Sequence, residues 1–266
     1  MLSKFNLSML LATAATAAFS LSASAAQAAT VAGLMNGGAT LVWIDTGTMK
    51  VTKTVKIQGA SLVGIDVRPA DKQLYGVTAA GKIVTIDAAT GKVTDKSQIS
   101  EKLSASGPIS VDFNPAADRL RVIGADGSSL RINVEDGKAT VDGSLKYAEG
   151  DANKGKTPKA GAVAYTNSIA GTKETALYDI DVGNGTLVKQ APPNDGVLNT
   201  VGALGMKLDG GVAFDIVADA NGGNAAWLMS GDRLYSVDLA KGTAKSAGKI
   251  AGLKGKVMDI AVMPAM

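Results

Sequence analysis

The sequence predicts an all-β fold, a five-bladed β-propeller closed by pairing of its N-terminal strands with its C-terminal strand. Three observations lead there. A short turn motif occurs five times: IDTGTMK at 44–50, IDAATGK at 86–92, INVEDGK at 132–138, IDVGNGT at 180–186 and VDLAKGT at 237–243. A second apolar repeat occurs five times: LVGIDVRP (62–69), ISVDFNP (109–115), GAVAYTN (161–167), GVAFDIVA (211–218) and KVMDIAVMP (256–264). The chain also starts without a copy of the second repeat and ends on one.

The turn motifs begin at 44, 86, 132, 180 and 237, a spacing typical of propellers and solenoids. Each copy ends a short alternating stretch (TLVWID, GKIVTID, SSLRIN, TALYDID, DRLYSVD). Period-two alternation reads as strand, and Asp or Asn followed by Gly reads as a tight turn into the next strand. No amphipathic helical stretch follows the first 28 residues, which removes α-solenoids and βαβ folds. The second repeat, small and β-branched, suits an innermost strand covered on both faces. KQLYGVT (72–78) and DRLRVIG (118–124) supply a strand between it and the turn, and KVTDKSQI (92–99) a strand after it. Four strands per unit and five units make the wheel. The ends VAGLM…TLVWID…VTKTVKI and KVMDIAVMP would complete one blade together, leaving no open sheet edge there. In the fourth unit, LVKQ and VLNTVGAL follow the motif, so the motif is expected one hairpin earlier in that blade.

Residues 1–28 read as a signal peptide: Lys4 is the basic start, LSMLLATAATAAFSL (7–21) the apolar segment and AQA (26–28) the small residues at a cleavage site. The apolar run is shorter than the ~20 residues of a spanning helix, so no membrane span is expected. The remaining residues, 29–266, form a single domain. An exported protein, periplasmic or extracellular, is the expectation, and a monomer. With no Cys and no His, thiol nucleophiles, imidazole bases and ordinary zinc or copper sites are excluded. A net charge of +3 without a dense basic run excludes a nucleic-acid partner.

Asp66, Asp112, Asp215 and Asp259 are read as matching positions on four inner strands, with Ala164 or Tyr165 in the fifth place. Such carboxylates near an axis would coordinate Ca²⁺, act as acid and base, or accept backbone hydrogen bonds; a residue repeated in every unit favours the structural use. No other cofactor is implied. Arginine is scarce, and four of the five (Arg68, Arg119, Arg121, Arg131, Arg233) fall in the first half of the wheel. Arg119 and Arg121 share one strand face, with Arg131 on the next strand. With Asp66, Arg68, Asp112 and Asn114 they are the candidate ligand-binding set, suited to gripping a small anion through planar forks; pairing of Arg68, Arg119 or Arg121 with Asp66, Asp112 or Asp118 between blades is the structural alternative. DANKGK (151–156) and DANGGN (219–224) have the spaced Asp, Asn and Gly of Ca²⁺ loops; the first has Lys154 and Lys156 inside it and Ala162 where an EF-hand's closing Glu would stand, and both read as turns. APPNDG (191–196) reads as an exposed connection, and Trp43 and Trp227 as fillers between blades.

LVGIDVRPADKQLYGV, VDFNPAADRLRVIGADGSSLRIN, AYTN, TALYDID and APPNDGVLNTVGALG resemble the bacterial domain-of-unknown-function family 4394 over about residues 61–263. The resemblance implies an exported, propeller-like protein and no activity. Three functions remain: a module that binds a protein or a small anion, a hydrolase or lyase working through inner-strand Asp without His, and a Ca²⁺-stabilised structural module. No catalytic residue is assigned, and the binding module is preferred.

Overall fold

The computed structural model describes residues 29–104, 107–209, 211–219 and 222–264; the expected leader, residues 1–28, lies outside them. The first blade holds β1 (Thr30–Met35), β2 (Thr40–Asp45) and β3 (Lys50–Lys56). The second holds β4 (Leu62–Val67), β5 (Leu74–Thr78), β6 (Lys82–Ile86) and β7 (Val93–Gln98). The third holds β8 (Ile109–Asn114), β9 (Arg119–Gly124), β10 (Ser129–Ile132) and β11 (Ala139–Val141). The fourth adds a short strand, β12 (Lys146–Tyr147), to β13 (Ala160–Tyr165), β14 (Leu177–Asp181), β15 (Thr186–Gln190) and β16 (Val197–Ala203). The fifth holds β17 (Val212–Ala218), β18 (Asn224–Ser230), β19 (Arg233–Val237) and β20 (Ala244–Lys249). The last strand, β21 (Val257–Met263), joins the first blade in the order β21-β1-β2-β3.

This is a five-bladed propeller closed by its two ends. β21 runs antiparallel to β1, with Val31 opposite Val262 and Gly33 opposite Ile260. The inner strands contact one another in a complete circle, β4 to β8, β13, β17, β21 and back to β4. Apolar residues on both faces of each blade make five clusters, one per blade interface, as the nearly continuous apolar inner strands require. Trp43 packs with Ile65 and Val84 between the first and second blades, and Trp227 with Val31 and Ile260 between the fifth and first.

The repeated turn motif is an outer clasp. Its Asp or Asn accepts hydrogen bonds from backbone two or three residues on: Asp45 from Thr48, Asp87 from Ala89 and Thr90, Asn133 from Glu135, Asp181 from Gly183, Asp238 from Ala240. In three copies the sixth residue's carbonyl accepts an N–H from the neighbouring blade: Gly91 from Gln58 at 2.9 Å, Gly137 from Ser100 at 3.0 Å, Met49 from Ala251 at 2.8 Å. That residue has positive φ in all five copies. Met49, at φ 52°, keeps the conformation without being glycine. In the fourth blade the motif joins β14 to β15, one hairpin inward as expected. Its clasp is lost there, and β12 replaces it: the chain leaving the third blade pairs in parallel with β16.

The clasp gives a graded prediction. A Cβ on Gly91 would come within 2.1 Å of the Lys56 carbonyl, and one on Gly137 within 1.9 Å of the Gln98 carbonyl, whereas one on Gly185 meets nothing within 4 Å. Gly185→Ala should therefore cost only the left-handed strain, about 1 kcal/mol, and Gly91→Ala and Gly137→Ala at least twice that in urea denaturation. Equal losses at the three positions would mean that the turns do not dock.

Candidate functional site at the axial mouth

Each sheet begins at its inner strand, so the axis-facing N–H groups of that strand have no strand to pair with. Side chains of the preceding blade fill the need. Asp66 Oδ2 accepts from Phe113 N at 2.7 Å, Asp112 Oδ1 from Tyr165 N at 2.9 Å, and Asp215 Oδ2 from Val262 N. Asp259 Oδ2 accepts from Ile65 N at 2.9 Å, and Ser110 Oγ from Val163 N at 2.9 Å. The second oxygens of Asp66, Asp215 and Asp259 accept from the next residue of their own strand.

These bonds fix the layers. The acceptor meets the residue after its counterpart, so Asp66, Asp112, Ala164, Asp215 and Ala261 form one layer. Gly64, Ser110, Ala162 and Asp259 form another, two residues earlier, joined by Ala213 through strand alternation. The expected equivalence of Asp259 with the other three aspartates is therefore wrong by one layer. Ala261 holds that place, and Ala164 rather than Tyr165 holds the fifth. Counting from the proline that ends three of these strands shows it in the sequence: Asp66, Asp112 and Ala261 stand three residues before Pro69, Pro115 and Pro264, and Asp259 stands five before.

Oxygens of Asp66, Asp112 and Asp215 come within 4.8 Å of one another. They sit at the floor of an open cavity of about 320 Å³. Its walls are the ends of the five inner strands and the segments beyond, including Tyr165, Ile169, Val217, Val262 and, as the one basic residue of the lining, Lys72. All four axial aspartates are buried. Burial, reinforced by the Asp215 charge, raises Asp66 well above the usual carboxylate range; burial and then the Asp66 charge do the same to Asp112. Burial raises Asp259 likewise, and raises Asp215 to about 6.

The other predicted residues separate into distinct places. Arg68 ties the second blade to the third, with Nε and Nη2 on Asp118 at 2.8 and 2.6 Å and Nη1 on Glu135 at 2.7 Å. Asn114 caps the next turn through Ala116 and Ala117 N–H. Arg121 is 1% exposed and lies between the third and fourth blades. It donates to Tyr165 Oη at 3.1 Å, Ser129 Oγ at 2.9 Å, Asn194 Oδ1 at 2.9 Å and Asp142. Arg131 joins it on Asp142, and Arg119 faces outward. Asp151 of the DANKGK turn holds Thr200 and Asn153, consistent with a turn. The sequence reading passed over Asp179, fully buried beside this group with neither oxygen in a hydrogen bond. In TALYDID nothing but alternation marks it.

The family model described as a domain of unknown function, DUF4394, matches residues 40–261. The chain belongs to this family. No curated protein matches the sequence. A solved protein of unknown function from Bacteroides thetaiotaomicron is similar to this DUF4394 chain at 15% identity and TM-score 0.54, covering 89% of this chain and 67% of its own. Another, from Bacteroides caccae, is 13% identical with TM-score 0.43, covering 86% of this chain and 75% of its own. The first likeness concerns the fold alone. Among the described residues no helix is long and apolar enough to cross a membrane.

Burial raises Asp179 to about 8, partly opposed by the Arg121 charge. Its folded value thus lies above its unfolded value near 3.9, so its contribution to stability is complete below pH 4 and is lost as pH rises towards 8. Asp179→Asn should therefore gain on the wild type by up to about 1.4 kcal/mol per pH unit across that window. Parallel stability–pH curves for the two proteins would contradict this assignment.

Proposed function

We propose that this protein is an exported binding module whose axial mouth takes a cation, with the propeller as its rigid frame. The carrying observation is the convergence of three buried carboxylates at the floor of an open cavity. Ca²⁺ binds oxygen at about 2.4 Å, so two oxygens on one ion lie at most about 4.8 Å apart, and the Asp66, Asp112 and Asp215 oxygens meet that limit. A carboxylate oxygen that accepts one N–H retains a second lone pair, so ligation need not break the ties between blades. Like charges in a buried layer disfavour ionisation, and a divalent cation relieves this where only protons otherwise do.

Hydrolysis is the second reading, favoured by one feature: carboxyl groups with different proton affinities share an open cavity. Binding is preferred because Asp66 and Asp215 already have a backbone N–H on each oxygen, an arrangement suited to holding a position rather than attacking. Export rests on the composition of residues 1–28, and an N-terminus at Ala29 in the periplasmic or culture fraction is the expected result by mass spectrometry.

Thermal melting tests the cation site. Ca²⁺ at a hundredfold excess over its dissociation constant adds about 2.7 kcal/mol, or several degrees for a chain of this size. The shift should be larger at pH 8 than at pH 5, where protons compete, and Asp112→Asn should at least halve it. Identical melting with Ca²⁺ and with chelator at pH 8 would refute the reading.

A further inference from the structure

We propose a second, independent ligand site: an oxyanion-binding groove on the third blade, on the face that carries Arg121 but clear of the axial mouth, formed by Arg119, Arg131 and Lys138 with Asn133 and Thr140. These five residues line a cavity of about 160 Å³. They come from three adjacent strands and the turn between two of them. Arg119 is on β9 and Arg131 on β10, which brings Thr140 of β11 opposite Arg131. Asn133 and Lys138 bracket the turn joining β10 to β11, and Asn133 N donates to the Lys138 carbonyl. Every side chain in the lining can donate a hydrogen bond, and none is a carboxylate.

The charges around the groove do not cancel locally. Among the described residues Asp142 is the one acid in an ion pair with Arg131, through Nε at 2.7 Å and Nη2 at 3.0 Å, and it is shared with the buried Arg121. Asp118 and Glu135 are bound by Arg68, and Glu135 also by Lys96; Asp136, in the turn between β10 and β11, accepts the Lys138 backbone N–H at 3.0 Å and is in no ion pair among the described residues. Arg119 donates Nη1 to the carbonyls of Ala117 and Asp118; among the described residues neither it nor Lys138 is in an ion pair, although the Arg119 charge is felt by Asp118. Arg131 is thus held in a fixed orientation by a carboxylate that cannot neutralise all three cations. A planar fork positioned in this way is an effective oxyanion ligand.

Size sets the ligand class. The groove, at about 160 Å³, is small and open to solvent. That accommodates a phosphate or sulfate group and falls short of the 300–1,000 Å³ of sites that enclose a whole drug-sized molecule. The ligand is therefore a phosphate or sulfate, free or as the terminal ester group of a larger molecule lying outside. The groove shares no lining residue with the axial mouth, so the two sites stand or fall separately.

Calorimetric titration of the mature protein with inorganic phosphate and sulfate at low ionic strength tests the proposal, with a sugar phosphate as the ester arm. Binding of inorganic phosphate or sulfate is expected, weakened at least tenfold in Arg119→Gln and in Lys138→Gln, both partly exposed positions where folding should survive. Asp112→Asn should leave it unchanged. Stronger binding of the ester than of free phosphate, equally sensitive to both variants, would place the group at the end of a larger ligand. Absence of binding by all three probes at millimolar concentration would overturn the proposal, as would affinity indifferent to Arg119→Gln and Lys138→Gln.

Discussion

The architecture depends on one pairing, that of β21 with β1. Among the described residues the first blade takes its inner strand from the C-terminal end of the chain, in the order β21-β1-β2-β3. Without the pairing, the circle of inner strands opens between β17 and β4. Asp215 then loses Val262 N as its donor, and Ile65 N loses Asp259 as its acceptor. The axial layer of carboxylates exists because the circle is complete.

Two sets of hydrogen bonds hold neighbouring blades at different radii. The outer bonds, at three of the five blade interfaces, are made by backbone carbonyls of the turn motif; the inner ones by Asp and Ser side chains that reach the unpaired edge of the next inner strand. Both answer the same demand, that a buried backbone donor needs an acceptor. Carboxylates make strong acceptors, but several of them buried around one axis lose water first and then feel one another's charge, and both raise the proton affinity of Asp66, Asp112 and Asp259. The cation site we propose would answer that conflict by placing a positive charge among the groups that close the circle.

The fold was legible because its determinants are local and repeated. The turn, opened by Asp or Asn and closed by a residue of positive φ, recurs wherever a clasp is made, and its displaced position in the fourth blade showed in the order of strands around it. The axial layer was less legible. Asp259 was matched by strand resemblance rather than by distance from Pro264, and a shift of two residues keeps the same face while changing the layer. The arginines could not be sorted from sequence at all. Arg119 and Arg121 share a strand face as alternation requires, yet Arg121 is buried between blades and Arg119 is not, because burial depends on how far along the blade the next blade reaches. Asp179 lies on the same interface and is set apart only by tertiary packing.

Closure can be measured directly because the natural chain has no cysteine. Thr30 and Met263 are partners across the β1–β21 pair, and antiparallel partners have Cα separations of about 4.5–5.5 Å, within disulfide range. In a protein carrying Thr30→Cys and Met263→Cys, mild oxidation should form one intramolecular bond in nearly every molecule, seen as the loss of both thiols without dimer. A folded double variant whose two thiols remain free under those conditions would contradict the closed wheel.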